Sequence, residues 1–354
     1  MSKTIKYGKN GALVGGLSFI IYNAISQLVK MKEDHTIKFD WGELLTQGVK
    51  GTVLGAGAGA AIGGIKDINN SFEEPENTSS VLHIAISNMR LNKSDRTYKS
   101  LSEKAEKITY CIDCHYSEKL AGSIVRIGST EENTALADDF DIDISVPFNP
   151  NSFRSTEQMF DDLYYHLKYN FYDPDLIEVR TQRKSVGLIF NLNGEKYKID
   201  VVPYKISAKK GNKTSGYLFV NNNSAFQKDS FTKTDINKLK GIILSPIQQK
   251  ILVAIKSWKL NFNVPISSHL VKLLILDAYE VNRGKIPQDF TKKLLTIVRH
   301  IRDEINFKKI VSVENTNNVL TDISESKKAK ITKACDRVLD EYDYQPNSIL
   351  HFFS

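Results

Sequence analysis

A short apolar run that carries aspartate at alternate positions constrains the fold of this chain more than any other feature. The run Phe140-Asp141-Ile142-Asp143-Ile144 has the alternation of a β-strand. Residues two apart in a strand face the same side, so both carboxylates share one face and the apolar side chains take the other. Neighbouring carboxylates repel, and a divalent cation commonly neutralises them. The run predicts a sheet with paired acids; alone, it also fits an ordinary solvated strand.

A Gly-Ser pair upstream gives the two acids a chemical context. Ser129 stands twelve positions before Asp141, since 141 − 129 = 12. A strand-like stretch leads into Gly128, and residues 130–138 have the composition of a short helix. Glycine permits a tight turn, and the N–H groups at a helix start can bind phosphate. We therefore expect Gly128 and Ser129 to form a nucleotide-binding turn beside the acids, as a metal-bound nucleoside triphosphate would require.

A third acid lies in a second strand-like run. Asn193-Gly194 is a strong signal for a hairpin turn, and Asp200 follows it in a run otherwise suited to burial. A buried carboxylate without a partner is costly, so a metal ion or a lysine is expected nearby. Asp141, Asp143 and Asp200 are therefore the candidate catalytic residues and metal ligands. They would hold two Mg²⁺ or Mn²⁺ ions, one activating an attacking hydroxyl and one stabilising pyrophosphate as it leaves.

These motifs resemble those of a known superfamily. The segments GS…TA…DFDIDISV and YKIDVVPY are similar to the polymerase-β-type nucleotidyltransferases, and most similar to the cGAS/DncV-like (CD-NTase) and oligoadenylate synthetase branch. The resemblance spans roughly residues 120–279. It implies an α+β fold, with a polymerase-β-like core of mixed sheet and helices and a helical C-terminal domain. It also implies an enzyme that joins NTPs such as ATP or GTP into a cyclic or linear oligonucleotide messenger in bacterial antiphage signalling.

The same resemblance extends to two later helices. Lys256 and Trp258 match a lysine followed by an aromatic residue, and Ser267-Ser268-His269 match a Ser-Ser-aromatic element that opens the next helix. It implies that Lys256 and Ser268 contact the triphosphate, and that His269 stands where the family often has a tyrosine stacked on a base. Each position also has a structural interpretation. Lysines on amphipathic helices are usually solvated, and serine at a helix start usually caps it.

The N-terminal region differs in character from the rest of the chain. Residues 11–29 carry no charge, and glycines recur every fourth residue from Gly51 to Gly63. Such a glycine stripe allows close contact between apolar helices and is typical of membranes. We expect a helical hairpin that contacts a membrane through residues 11–65, with the catalytic part in the cytoplasm and anchored to the inner membrane. The alternative is a glycine-rich helical pair that packs on itself or on sister subunits.

Composition and the patterns above predict the domain organisation. Residues 1–70 form the glycine-rich hairpin, residues 71–80 a linker, residues 81–210 the catalytic core and residues 211–354 a mainly helical domain that completes the nucleotide cleft. The formal charge of +7 favours polyanionic partners such as nucleotides or nucleic acid. Only three cysteines are present, which fits a reducing compartment.

Two other functions remain compatible with the sequence. In one, the chemistry is retained but the nucleotide is transferred to tRNA, protein or a small molecule, as in toxins and tailing enzymes of the superfamily. In the other, the protein is not catalytic, and a nucleotide-sensing fold acts on a membrane through the hairpin.

Overall fold

The computed structural model describes residues 77–207, 215–222, 230–312 and 323–353. The predicted hairpin of residues 1–70, with the membrane contact and self-association assigned to it, lies outside the described residues. Of the helices that the structure does describe, none combines the length and the apolar character needed to cross a membrane.

The described elements divide between two compact units, and each unit combines segments that are distant in sequence. Among the described residues, unit A comprises residues 90–207, 215–222, 230–249 and 309–312, and unit B comprises residues 77–89, 250–308 and 323–353. In chain order, the elements are α1 (Asn77–Met89), α2 (Arg96–Tyr116), β1 (Val125–Ile127), β2 (Asp141–Phe148), α3 (Thr156–Asn170), β3 (Leu176–Thr181), β4 (Val186–Leu192), β5 (Glu195–Ile206), β6 (Ser215–Val220), β7 (Ser230–Asp235), α4 (Ile236–Gly241), α5 (Pro246–Asn261), α6 (Ser268–Val281), α7 (Phe290–Glu304), α8 (Glu325–Tyr344) and α9 (Ser348–Phe353).

Unit A is built around a seven-stranded mixed sheet. Its main path runs β1-β2-β5-β4-β3, and β6 joins β5 and carries β7. Strand β5 is long enough to pair with β4 through its first half and with β6 through its end. The β2 and β5 strands are parallel, whereas every other pair in the sheet is antiparallel. The predicted α+β class with a mixed sheet is confirmed.

The β4–β5 hairpin turns at the predicted Asn-Gly pair. Asn193 and Gly194 have φ angles of 55° and 85°, so both adopt the left-handed conformation that a type I′ turn requires. Helix α3, Thr156–Asn170, lies between the first acids and this hairpin, and the Ser155 side chain caps it by accepting a hydrogen bond from the backbone N–H of Gln158. Local sequence is sufficient for both elements because a tight turn and a helix cap each depend on a few adjacent residues.

Helices α2 and α3 cover one face of the sheet. Ile142 and Ile144 of β2 are fully buried on this face and belong to one apolar cluster with Leu101 of α2 and Phe160 of α3. The intervening residues of β2 must therefore point to the opposite face. The hydrophobic core thus fixes which face of the sheet carries the acids.

Unit B is helical. Helix α7 packs on α1, α6 and α8, and α9 closes against α1 and α8. Its buried side chains include Trp258, whose ring centroid lies 5.9 Å from that of Phe353. Helix α1, which precedes the sheet in sequence, therefore belongs with the C-terminal helices.

Candidate active site

The two neighbouring strands β2 and β5 bring the three predicted acids together. Their parallel register pairs Asp143 with Asp200 and Asp141 with Lys198. One carboxylate oxygen from each of Asp141, Asp143 and Asp200 lies within 4.8 Å of the others. Asp200 is buried, whereas the first two acids are half-buried. The sheet therefore presents a set of three carboxylates, here called the acid triad, on the face opposite the helices.

This donor set fits a divalent cation. Mg²⁺ and Mn²⁺ prefer oxygen ligands, and carboxylates are the usual protein groups that hold them. Three carboxylates this close together repel one another, and a cation among them would neutralise that repulsion. The arrangement is the one that metal ligands require. Binding of a metal ion by these residues stays a prediction.

The Gly-Ser turn approaches the triad through Gly128. A Cβ atom added to Gly128 would overlap Oδ2 of Asp143 and lie 2.9 Å from its Cγ. Gly128 also has a φ of 83°, a conformation that favours glycine. Glycine is needed here for two reasons, backbone conformation and space for the Asp143 carboxylate. The predicted proximity of the turn to the acids is therefore present in the structure.

The helix expected after Ser129 does not form. Residues 129–133 make a turn, closed by hydrogen bonds from Glu132 N to Gly128 O at 3.1 Å and from Thr134 N to Ser129 O at 2.9 Å. Asn133 then adopts a left-handed conformation with a φ of 56°, which ends the helical path after one turn. The expectation of a helix was wrong, so no helix N-terminus is available at Ser129 to bind phosphate.

Lys198 bridges two members of the acid triad. Its Nζ atom lies 3.1 Å from Oδ2 of Asp141 and 3.2 Å from Oδ2 of Asp200. The expectation of a lysine close to Asp200 is met by this residue. Sequence reasoning did not identify it, although Lys198 stands two positions before Asp200 and strand alternation places both on one face.

Gln182 supports the other oxygen of Asp200. Its Nε2 donates a hydrogen bond of 2.8 Å to Oδ1, and its own Oε1 accepts one of 3.2 Å from Ser185 Oγ. A Cβ atom on Gly187 would overlap Nε2 of Gln182, so this glycine leaves room for the amide. Gln182 lies in the β3–β4 turn, eighteen residues before Asp200, and no pattern in the sequence indicates the contact.

Burial and the neighbouring charges together shift the pKa values of Asp200 and Lys198. Burial is the largest effect on Asp200 and raises the pKa of its carboxyl above the ordinary value; Asp141 adds to the increase and Lys198 opposes it. For Lys198, burial lowers the pKa, but the Asp200 and Asp141 carboxylates outweigh it, so the pKa lies above its ordinary value. The lysine is therefore held as a cation.

The three remaining candidate residues lie in the helices of unit B. Lys256 is buried in α5, Ser268 is the first residue of α6, and His269 follows it half-buried. The cap of α6 is Ser267, whose side chain accepts a hydrogen bond from Leu270 N at 3.2 Å. The capping alternative therefore applies to Ser267. Contact of Lys256, Ser268 and His269 with a nucleotide stays a prediction.

Comparison with solved structures places this geometry in a known fold. No protein-family model matches the chain, and no curated protein matches it. The structure of CdnC from E. coli MS115-1 with ATP is 17% identical to this chain, with a TM-score of 0.58. The match covers 78% of this chain and 94% of the CdnC chain. The Bradyrhizobium diazoefficiens CD-NTase CdnG in complex with GTP is 13% identical, with a TM-score of 0.59, covering 80% of this chain and 96% of its own.

A third structure agrees with these two. The CdnE cyclic dinucleotide synthase of Elizabethkingia meningoseptica, with GTP and Apcpp, is 14% identical with a TM-score of 0.50, and the match covers 77% of this chain and 99% of that one. Sequence identities this low establish the fold and leave the activity open. The similarity nevertheless extends over nearly the whole of each of those structures, which is more than the resemblance over residues 120–279 had covered. The chain has the nucleotidyltransferase fold of the CD-NTases.

Proposed function

We propose that this protein is a metal-dependent nucleotidyltransferase that joins NTPs into a cyclic or linear oligonucleotide second messenger. One observation carries the proposal: the acid triad of Asp141, Asp143 and Asp200 lies against the Gly128 turn on adjacent parallel strands. ATP and GTP are the proposed substrates because the similar CdnC and CdnG structures hold them. A role in bacterial antiphage signalling follows from the resemblance to this family.

The proposed reaction exchanges one bond for another at phosphorus. A ribose hydroxyl oxygen bonds to the α-phosphorus of an NTP, the bond to the bridging oxygen breaks, and pyrophosphate leaves with that oxygen. Bound Mg²⁺ or Mn²⁺ ions would supply charge neutralisation at the attacking and leaving oxygens. Asp141, Asp143 and Asp200 would hold these ions through their clustered carboxylate oxygens.

Asp200 is the proposed acceptor of the hydroxyl proton because it is the buried member of the acid triad and lies beside Asp143 on the neighbouring strand. Gln182 fixes one of its oxygens, which limits rotation of the carboxylate during the reaction. Ser129, Lys256 and Ser268 are the proposed triphosphate contacts, and His269 is the proposed base-stacking residue.

The test is product formation by the full-length protein. Purified wild type is incubated with mixed NTPs and Mg²⁺ or Mn²⁺, and the products are identified by mass spectrometry before and after phosphatase treatment. We expect phosphatase-resistant or 5′-triphosphate-bearing oligonucleotides together with pyrophosphate, and their loss in Asp141→Asn. Asp162→Asn, a change of an aspartate outside the triad, serves as the matched control.

The acceptor is decided by the same incubation. Radiolabel from NTP that moves onto added tRNA or protein, with no small product, would exclude messenger synthesis and identify a transferase with a macromolecular acceptor. Absence of both products and pyrophosphate under all metal conditions would contradict nucleotidyl transfer itself.

A further inference from the structure

Lys198 occupies a position within the acid triad that a metal ion would also use. Parallel pairing of β2 with β5 places Lys198 beside Asp141, and alternation along β5 places it on the same face as Asp200. Its Nζ lies 3.1 Å from Oδ2 of Asp141 and 3.2 Å from Oδ2 of Asp200. The ammonium therefore lies between two of the three oxygen-bearing groups that would bind the cation.

Both carboxylate oxygens of Asp200 already have a cationic or hydrogen-bonding partner. Oδ2 accepts the Lys198 ammonium, and Oδ1 accepts a 2.8 Å hydrogen bond from Gln182. A divalent ion binds carboxylate oxygen at about 2.0–2.1 Å. An ion bound to both Oδ2 atoms would lie next to the ammonium, with which it shares its charge sign and its ligands. The two cations therefore compete for the same pair of oxygens.

The lysine also has a role before any metal binds. Asp141 and Asp200 repel each other, and Asp200 is largely removed from solvent, so an unneutralised pair would be destabilising. A lysine ammonium that contacts both carboxylates holds them in position without a metal. Removal of the ammonium would expose this repulsion in the metal-free protein and would relieve the competition in the metal-bound one.

We propose that Lys198 is a built-in counter-ion of the acid triad, which holds Asp141 and Asp200 together in the metal-free protein and is displaced when a divalent cation binds. It is a positioning residue that sets the metal concentration at which the site fills. The inference rests on the proposed metal site and adds a control on its loading. Its two consequences are weaker metal binding and a more stable metal-free fold than a neutral residue would give.

The test measures Mn²⁺ binding without nucleotide, so that it does not depend on turnover. Free Mn²⁺ is followed by electron paramagnetic resonance during titration of the full-length wild type, Lys198→Met, Lys198→Arg and Lys196→Met. Loss of one positive charge in direct contact with the ligands should tighten binding by Lys198→Met about tenfold. Lys198→Arg retains the charge and should bind as the wild type does. Lys196→Met removes the same charge from an exposed position two residues away and should also leave affinity unchanged.

Thermal unfolding provides the second readout. In EDTA, Lys198→Met should unfold at a lower temperature than the wild type, and saturating Mn²⁺ should reduce or reverse the difference. If Lys198→Met folds only when Mn²⁺ is present, the counter-ion role is supported by that result. Lys198→Gln, which is neutral but can still donate hydrogen bonds to both carboxylates, should show tighter Mn²⁺ binding with a smaller loss of stability.

Several results would overturn the inference. One is Mn²⁺ binding by folded Lys198→Met that is no tighter than that of the wild type. A second is a gain in Mn²⁺ affinity in Lys196→Met equal to the gain in Lys198→Met. A third is the absence of Mn²⁺ binding in the wild type and in every variant. Failure of the proposed function is distinguishable from these. A wild type that binds Mn²⁺ in a manner abolished by Asp143→Asn, yet yields no nucleotide product, would contradict the proposed activity and leave the role of Lys198 intact.

Discussion

Gly128→Ala is expected to cost catalytic activity far more than it costs stability. The left-handed φ of 83° disfavours any residue with a Cβ, by about 1–2 kcal/mol. The added Cβ would also overlap Oδ2 of Asp143 and lie 3.3 Å from the Cβ of that residue. Because the overlapped atom is the end of a side chain, the carboxylate can rotate away. That movement relieves the overlap at little cost in folding energy but removes one oxygen from the acid triad.

Gly194→Ala provides a matched control in the same sheet. Gly194 has a φ of 85°, nearly that of Gly128, but nothing lies within 4 Å of the position its Cβ would take. Both variants should therefore lose about 1–2 kcal/mol in the free energy of unfolding, measured by urea denaturation. Only Gly128→Ala should lose activity, by about 100-fold or more, because a displacement of this size disrupts alignment of the reacting groups.

Two assays on the same samples separate the contributions. Urea denaturation reports the backbone cost, and the initial rate of pyrophosphate release reports the position of Asp143. Gly128→Ala should also bind Mn²⁺ more weakly than Gly194→Ala. Equal activities in the two variants would refute the close approach of Gly128 to Asp143 as the reason for glycine at this position.

The remaining predictions concern individual contacts. Gln182→Leu removes the hydrogen bond that fixes the buried carboxylate of the triad. It should lower the rate of nucleotide transfer about tenfold and the free energy of unfolding by about 1–3 kcal/mol, because Oδ1 of Asp200 loses its donor; an unchanged rate would show that this carboxylate is oriented by other groups. Lys104→Met removes the closest partner of Asp173, an ammonium 2.6 Å from a carboxylate whose side chain is 1% exposed. The free energy of unfolding, measured by urea denaturation, should fall by about 3–5 kcal/mol. The double variant that also carries Asp173→Asn should recover part of this loss. Burial acts to raise the pKa of Asp173, but hydrogen bonds that include the one from Lys104 outweigh it, so the pKa is lowered in the folded protein. The carboxylate therefore contributes stability above the ordinary pKa of 3.8, and this contribution is lost as pH falls through the lowered pKa. An identical pH dependence of the free energy of unfolding in the wild type and Lys104→Met would contradict this. Ser267→Ala should reduce stability by about 1 kcal/mol through loss of the α6 cap, whereas Ser268→Ala should leave stability unchanged and weaken NTP binding in calorimetry; the reverse pattern would assign Ser268 to structure alone.

The acid motif was informative from sequence because its meaning is local. Asp141 and Asp143 share a face through alternation alone, and the Asn193-Gly194 turn follows from the residues that adopt left-handed conformations. The segment after Ser129 was harder to predict. Its composition suits a helix, but Asn133 takes a left-handed conformation that ends it after one turn, and composition does not indicate which asparagine does so.

The packing of segments that are distant in sequence could not be predicted from local sequence patterns either. Helix α1 lies more than 150 residues before the helices it packs against, and strands β6 and β7 join the sheet after a segment with no motif. The hydrophobic period of a helix or strand identifies its apolar face. It does not identify the element against which that face packs.

The amino-acid sequence by itself determined the three acids, the face that two of them share, and the turn that precedes them. Only the tertiary structure decided that β2 and β5 are parallel neighbours, with Asp143 opposite Asp200 and Lys198 opposite Asp141. The physical reason is that side-chain alternation is a property of one strand, whereas register is a property of two. It is set by the buried faces that must coincide when the strands pair, and a shift of one residue would have moved Lys198 away from the acids it neutralises.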